Sequence, residues 1–116
     1  MIQEFRRARR RNVVEPIDVL DTMTDQLLGR LGNVSESGML LIAHVPVIED
    51  ALYQLRFGIR DNRGHETQID VGSHLLWMAQ ANTPGQSFAG LRFLTIAPDA
   101  LESLRHWVNQ PGASTS

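Results

Sequence analysis

From Glu15 to Ile96 the chain is interrupted by turn-forming residues about every ten positions, and the segments between them read with the period of strands. This spacing constrains the fold more than any other feature, because it leaves no room there for a long helix. Ile17 and Val19 begin a first strand, bounded by Pro16 and the polar stretch from Asp21 to Asp25. Gln26 to Val34 is a second, and Gly29 and Gly32 within it fit a bend or bulge. Gly38 to His44 is a third, whose unbroken apolar run implies burial on both faces; Pro46 ends it. Leu52 to Ile59 alternates: Leu52, Leu55, Phe57 and Ile59 are apolar, with Gln54, Arg56 and Gly58 between them. Asp61-Asn62-Arg63-Gly64 is a turn in which Asn62 and Gly64 can supply positive φ. The next strand runs from about Glu66 to Ala81, bent at Gly72-Ser73, and after the turn Asn82 to Gln86 a last strand covers Ser87 to Ile96.

The period then changes. Pro98 to Asn109 places Leu101, Leu104, Trp107 and Val108 on one helical face. Pro98 suits a first helical turn, Asp99 the positive end of the dipole, and Arg105 and His106 the negative end. The expectation is an all-β fold of six or seven strands, a small barrel or sandwich, closed by a C-terminal helix at about 98–109. With 116 residues this is one domain. Residues 1–12 read as a flexible arginine-rich arm, 13–110 as the folded domain and 111–116 as a disordered tail.

Composition removes several function classes. The chain has no cysteine, which excludes disulfides, thiolate metal sites and cysteine nucleophiles. It has no lysine either, so all 11 basic residues are arginine and lysine-dependent phosphate loops or Schiff bases are impossible. The longest apolar runs, Met39 to Ala43 and Leu75 to Ala79, span five residues, too few for a membrane helix. No apolar stretch lies near the N-terminus, so no secretory signal and a cytoplasmic location are expected. The net charge of −2 is unevenly spread: residues 1–11 carry five arginines against Glu4, or +4, and residues 12–116 carry six arginines against twelve acids, or −6. That is a concentrated anion site and not a basic face for DNA.

Catalytic patterns are missing. His44, His65, His74 and His106 form no closely spaced ligand pair and no His-Asp pair in sequence, and no G-x-S-x-G or G-x-G-x-x-G occurs. Asp18 and Asp21 point to opposite sides of a strand. No enzyme activity, no metal and no cofactor are expected.

Two features carry chemistry. Arg6-Arg7-Ala8-Arg9-Arg10-Arg11 contains R-x-x-x-R twice, as Arg6/Arg10 and as Arg7/Arg11. Asn33-Val34-Ser35-Glu36-Ser37-Gly38 is an N-x-S-x-x-G arrangement between two strands. In a strand, Asn33 and Ser35 share a face and present an amide and a hydroxyl able to bond a purine edge. Gly38 can take positive φ and admit close approach. The competing readings are a solvated arm and an ordinary polar turn in which Ser35 or Ser37 bonds nearby backbone.

Together and in this order, with Arg11 preceding Asn33 by 22 residues, the two motifs resemble the PilZ domain, a bacterial receptor for cyclic di-GMP. Leu75-Leu76-Trp77, Ala89-Gly90-Leu91-Arg92-Phe93 and Ala100-Leu101-Glu102-Ser103-Leu104 extend the resemblance over about residues 4–110. It implies a six-stranded antiparallel β-barrel with a C-terminal helix. It also implies cyclic di-GMP as ligand, held by Arg6, Arg7, Arg10, Arg11, Asn33, Ser35, Gly38 and Trp77, with Arg7/Arg11 the preferred motif pair. Asn33 stands where many members have aspartate. The implied partner is an unidentified effector protein in motility, biofilm or virulence control, with the domain a monomer or weak dimer. An adaptor of the same family that binds no nucleotide is the alternative.

Overall fold

The computed structural model describes residues 8–115. Their elements are β1 (Arg11–Asn12), β2 (Asp18–Asp21), β3 (Gln26–Val34), β4 (Gly38–Ala43), β5 (Leu52–Arg60), β6 (Glu66–Gln80), β7 (Ser87–Ile96) and α1 (Pro98–Val108). The strand order β3-β2-β5-β6-β7-β4 closes on itself because β4 returns to pair with β3. Every pairing is antiparallel. The result is a six-stranded barrel, as the family resemblance implies and within the barrel-or-sandwich reading of the strand pattern, with the two-residue β1 added along the end of β3.

Alternation decides which side chains fill the barrel. Leu55, Phe57 and Ile59 of β5 point inward and are buried, against Ile69, Val71 and Leu75 of β6, Leu41 of β4 and Val19 of β2. Each fully buried large aliphatic or aromatic side chain stabilises the fold by roughly 1.5–3 kcal/mol. Gln54, Arg56 and Arg60 alternate outward, as do Asp70 and Glu66 across from them. Four irregularities re-aim the strands: between Val19 and Leu20 in β2, between Leu31 and Asn33 in β3, between Gly72 and Ser73 in β6, and between Leu75 and Trp77 in β6. The last leaves Leu76, Trp77 and Met78 all partly exposed in succession.

Helix α1 buries Leu104, Trp107 and Val108 against the barrel, and the Trp107 indole N–H donates to the Arg60 carbonyl at 3.1 Å. Leu101, on the same face, is only partly covered. The helix ends at Asn109, whose backbone N–H and side-chain amide both donate to the Arg105 carbonyl.

Described residues near the two termini meet, which the sequence does not foretell. Of the expected arm, Arg11 and Asn12 are strand, in register with Val34 and Asn33, and Val13 N–H donates to the Gly32 carbonyl at 3.0 Å. Of the expected tail, residues 114 and 115 pair with the other edge of β1: Asn12 N–H donates to the Ser114 carbonyl at 2.7 Å, and Arg11 bridges Thr115. A two-residue strand gains its hydrogen bonds from both neighbours and has no apolar period for a sequence reading to detect. Arg6 and Arg7 lie outside the described residues.

Candidate ligand-binding site

Alternation along extended backbone sends Arg11, the first residue of β1, and Arg10, just before it, to opposite sides of the chain. Because Arg11 opposes Val34 and Asn12 opposes Asn33, Arg10 lies diagonal to Asn33, within reach of a long side chain. The Arg10 Nη1 donates to Asn33 Oδ1 at 2.7 Å. Arg10 and Asn33 form one wall of a surface cavity of about 300 Å³. Leu40 of β4 and Leu76 of β6 line it, with Met39 and Leu91 beneath and Trp77 and Gly90 opposite. Trp77 is 46% exposed, so it belongs to the surface and not to the core. Among the described residues, Arg10 is the only charged side chain lining this cavity, and no carboxylate lines it. A guanidinium, an amide and a large aromatic face set in an apolar floor suit a planar, anionic, base-bearing ligand.

Arg11 has a different role. Its guanidinium lies over the Trp107 ring, 3.7 Å from the centroid, and donates to the Trp107 carbonyl at 2.8 Å and to Gln110 Oε1 at 3.1 Å. Glu15 approaches it at 3.9 Å. Burial pulls its pKa below the usual arginine value and Glu15 acts the other way; a guanidinium stays charged throughout. Of the two registers, Arg10 of Arg6/Arg10 meets Asn33 at the cavity, whereas Arg11 of the preferred Arg7/Arg11 meets the end of the helix; Arg6 and Arg7 are outside the described residues.

The strand-end motif also divides. The expectation that Asn33 and Ser35 stand side by side does not hold, because β3 ends at Val34. Ser35 is fully buried; its hydroxyl pairs with that of Ser37 at 3.0 Å and accepts the Ser37 N–H at 3.1 Å, while Ser35 N–H donates to the Gly38 carbonyl at 2.9 Å. This is the local turn the sequence offered as the competing reading. Gly38 does not take positive φ, which among the described glycines falls to Gly64, Gly85 and Gly112. What it allows is contact with β7: a Cβ at Gly38 would sit 2.4 Å from the Leu91 carbonyl oxygen. The room it makes is for the protein's own backbone. Asn62 likewise keeps negative φ, and Asp61 Oδ1 organises that turn by accepting from the Arg63 and His65 N–H groups.

A larger concavity than this cavity lies elsewhere. A groove of about 650 Å³ opens where β2 and β5 share only the Leu20/Arg56 and Asp21/Leu55 pairs. Glu15, Asp18 and Glu66 line it, and its arginines are already matched, Arg56 with Asp70 at 2.7 Å and Arg60 with Glu66 at 3.0 Å. An anion gains little there. His74 and Asp50, distant in sequence, meet at 2.6 Å, but Asp50 is 87% exposed and the pair ties the loop before β5 to β6. Among the described residues no group of three metal-ligating side chains assembles. No helix among them is long and apolar enough to cross a membrane.

The family model of the PilZ domain matches residues 4–110. Among solved structures the fold is similar to that of the Bacillus subtilis inhibitor of motility, MotI/DgrA, with a TM-score of 0.72 and 14% sequence identity. That match covers 90% of this chain and 49% of the other, so the chain spans about half of the solved protein's length. No curated protein matches the chain.

Proposed function

This chain belongs to the PilZ domain family, a family of cyclic di-GMP receptors, and we propose that it binds cyclic di-GMP at the cavity bounded by Arg10, Asn33 and Trp77. The observation that carries the reading is the Arg10–Asn33 hydrogen bond beside an exposed indole, since it brings a residue of each half of the family's motif to one cavity that, among the described residues, no carboxylate lines. The Arg10 guanidinium forks onto a phosphate or onto the O6/N7 edge of a guanine, and the Asn33 amide, released from Arg10, accepts from and donates to the base edge. Trp77 offers a stacking face, at roughly 1–3 kcal/mol per base. We assign the motif pair to Arg6/Arg10, because Arg11 is committed to Trp107. Ser35 and Gly38 act at one remove: they shape the turn after β3 and the β4–β7 contact and so hold Asn33 in place.

The domain works as a receptor in the cytoplasm and not as an enzyme. A bound dianion engages the arginine segment, and an effector protein reads the altered surface next to β1. MotI/DgrA, which shares the fold, is an inhibitor of motility, and motility control is the output we propose first.

Titration calorimetry with cyclic di-GMP tests the reading. Saturable heat is expected, together with a melting temperature that rises with ligand, by about 2.7 kcal/mol of added stability at a hundredfold excess over Kd. Absence of heat and an unmoved melting point would leave only an adaptor that works by protein contacts. Loss of intact dinucleotide on incubation would make the protein an enzyme.

A further inference from the structure

Trp77 and Gly90 face each other across β6 and β7. A Cβ built on Gly90 would lie 2.1 Å from Trp77 Nε1, 2.4 Å from Cε2 and 2.9 Å from Cδ1. All three atoms belong to the pyrrole ring, and for a point that close to Nε1 the other two distances are met only above the ring face. The indole therefore lies flat on the bare backbone of β7. An exposed tryptophan on a strand ordinarily has several rotamers. Here the absent side chain at residue 90 leaves a shelf of the right depth. Trp77 is still 46% exposed, so it keeps surface for a ligand.

We propose that Gly90 is a positioning residue of the binding site: it fixes the plane of the Trp77 indole, and with it the width of the slot between the indole and the Arg10–Asn33 pair. The ligand part of this inference rests on the reading of the cavity given above; the placement of the indole does not. The smallest side chain that breaks the shelf is alanine. The neighbour it meets is a side chain able to turn away, so the barrel survives and the indole lifts.

The test is a double-mutant cycle with Gly90→Ala and Trp77→Ala, read by cyclic di-GMP affinity and by 19F NMR of protein labelled with 5-fluorotryptophan. The chain has two tryptophans, Trp77 and Trp107, and Trp77→Phe assigns their resonances. Gly90→Ala is expected to move the Trp77 resonance and leave that of Trp107 in place. It is expected to weaken binding roughly tenfold, as loss of one stacked base does, and to change affinity less than about twofold when introduced into Trp77→Ala. Should Gly90→Ala not fold, the double variant must fold, because removing the indole frees the space for the new methyl; a double variant that also fails overturns the proposal. So does an unmoved Trp77 resonance, or an equal loss of affinity in both backgrounds. Absence of binding by the wild type sinks the ligand reading, and the resonance then still decides whether Gly90 sets the indole.

Discussion

Arg10 and Arg11 are adjacent, carry the same charge and enter the barrel together at β1, yet they serve different parts of the molecule. Arg10 faces a half-open cavity and holds Asn33. Arg11 faces inward, stacked on Trp107 and bonded to the end of α1, with its side chain only 14% exposed. The pair shows that a charge run has no single role once strand geometry splits it between two faces. Arg11 also ties the base of the arginine segment to the end of α1, while its strand neighbour Asn12 joins Asn33 to Ser114. The cavity face and the helix face are thus one residue apart.

The largest expected effect on stability is at Arg11. Arg11→Ala removes a desolvated cation–π contact and two charged-donor hydrogen bonds, and unfolding in denaturant should show a loss of about 2–3 kcal/mol. Arg11→Lys keeps the charge without the planar fork and should recover only part of it. Arg10→Ala, on the outward face, should cost less than about 1 kcal/mol in the same experiment. If both variants melt alike, the division of labour is wrong.

Ser35→Ala comes next. It leaves the Ser37 N–H without its partner in a turn that is buried at Ser35 and exposed at Ser37, and about 1 kcal/mol should be lost. Cyclic di-GMP affinity should follow only indirectly, within a factor of about three, because Ser35 acts through the turn and not on the ligand. A loss as large as that of Asn33→Ala would return Ser35 to the ligand and sharpen the site beyond what this arrangement allows.

The smallest effect is a change in acid stability at the far hairpin. Hydrogen bonds from the His65 and Arg63 backbone hold the Asp61 carboxyl below its usual 3.8. A carboxyl whose pKa is lower folded than unfolded stabilises the protein above the unfolded value, and that contribution disappears as pH falls through the folded value. Asp61→Asn should therefore flatten the acid limb of a melting-temperature profile below about pH 4 and leave ligand binding at neutral pH unchanged. A steepened limb would contradict the assignment.

Much of the barrel is legible in the sequence for a plain reason: where one face is buried, alternation must match it. Leu55, Phe57 and Ile59, the turn at Asp61 to Gly64, and Leu104, Trp107 and Val108 all declare themselves this way. The site is less legible. The side-by-side placement of Asn33 and Ser35 assumed a strand that in fact stops at Val34. The choice between Arg10 and Arg11 depends on β1, whose pairing with residues 114 and 115 joins segments about a hundred positions apart and leaves no local pattern. Gly90 looks like any glycine in a strand until the β6–β7 register sets Trp77 upon it.

The central claim is tested most directly by titrating cyclic di-GMP into the wild type, Arg10→Ala and Arg11→Ala side by side, at a temperature where all three are folded. The account predicts wild-type-like affinity for Arg11→Ala and a loss of roughly 10- to 100-fold for Arg10→Ala, the range expected when a charged hydrogen bond is removed. A greater loss for Arg11→Ala than for Arg10→Ala would contradict it.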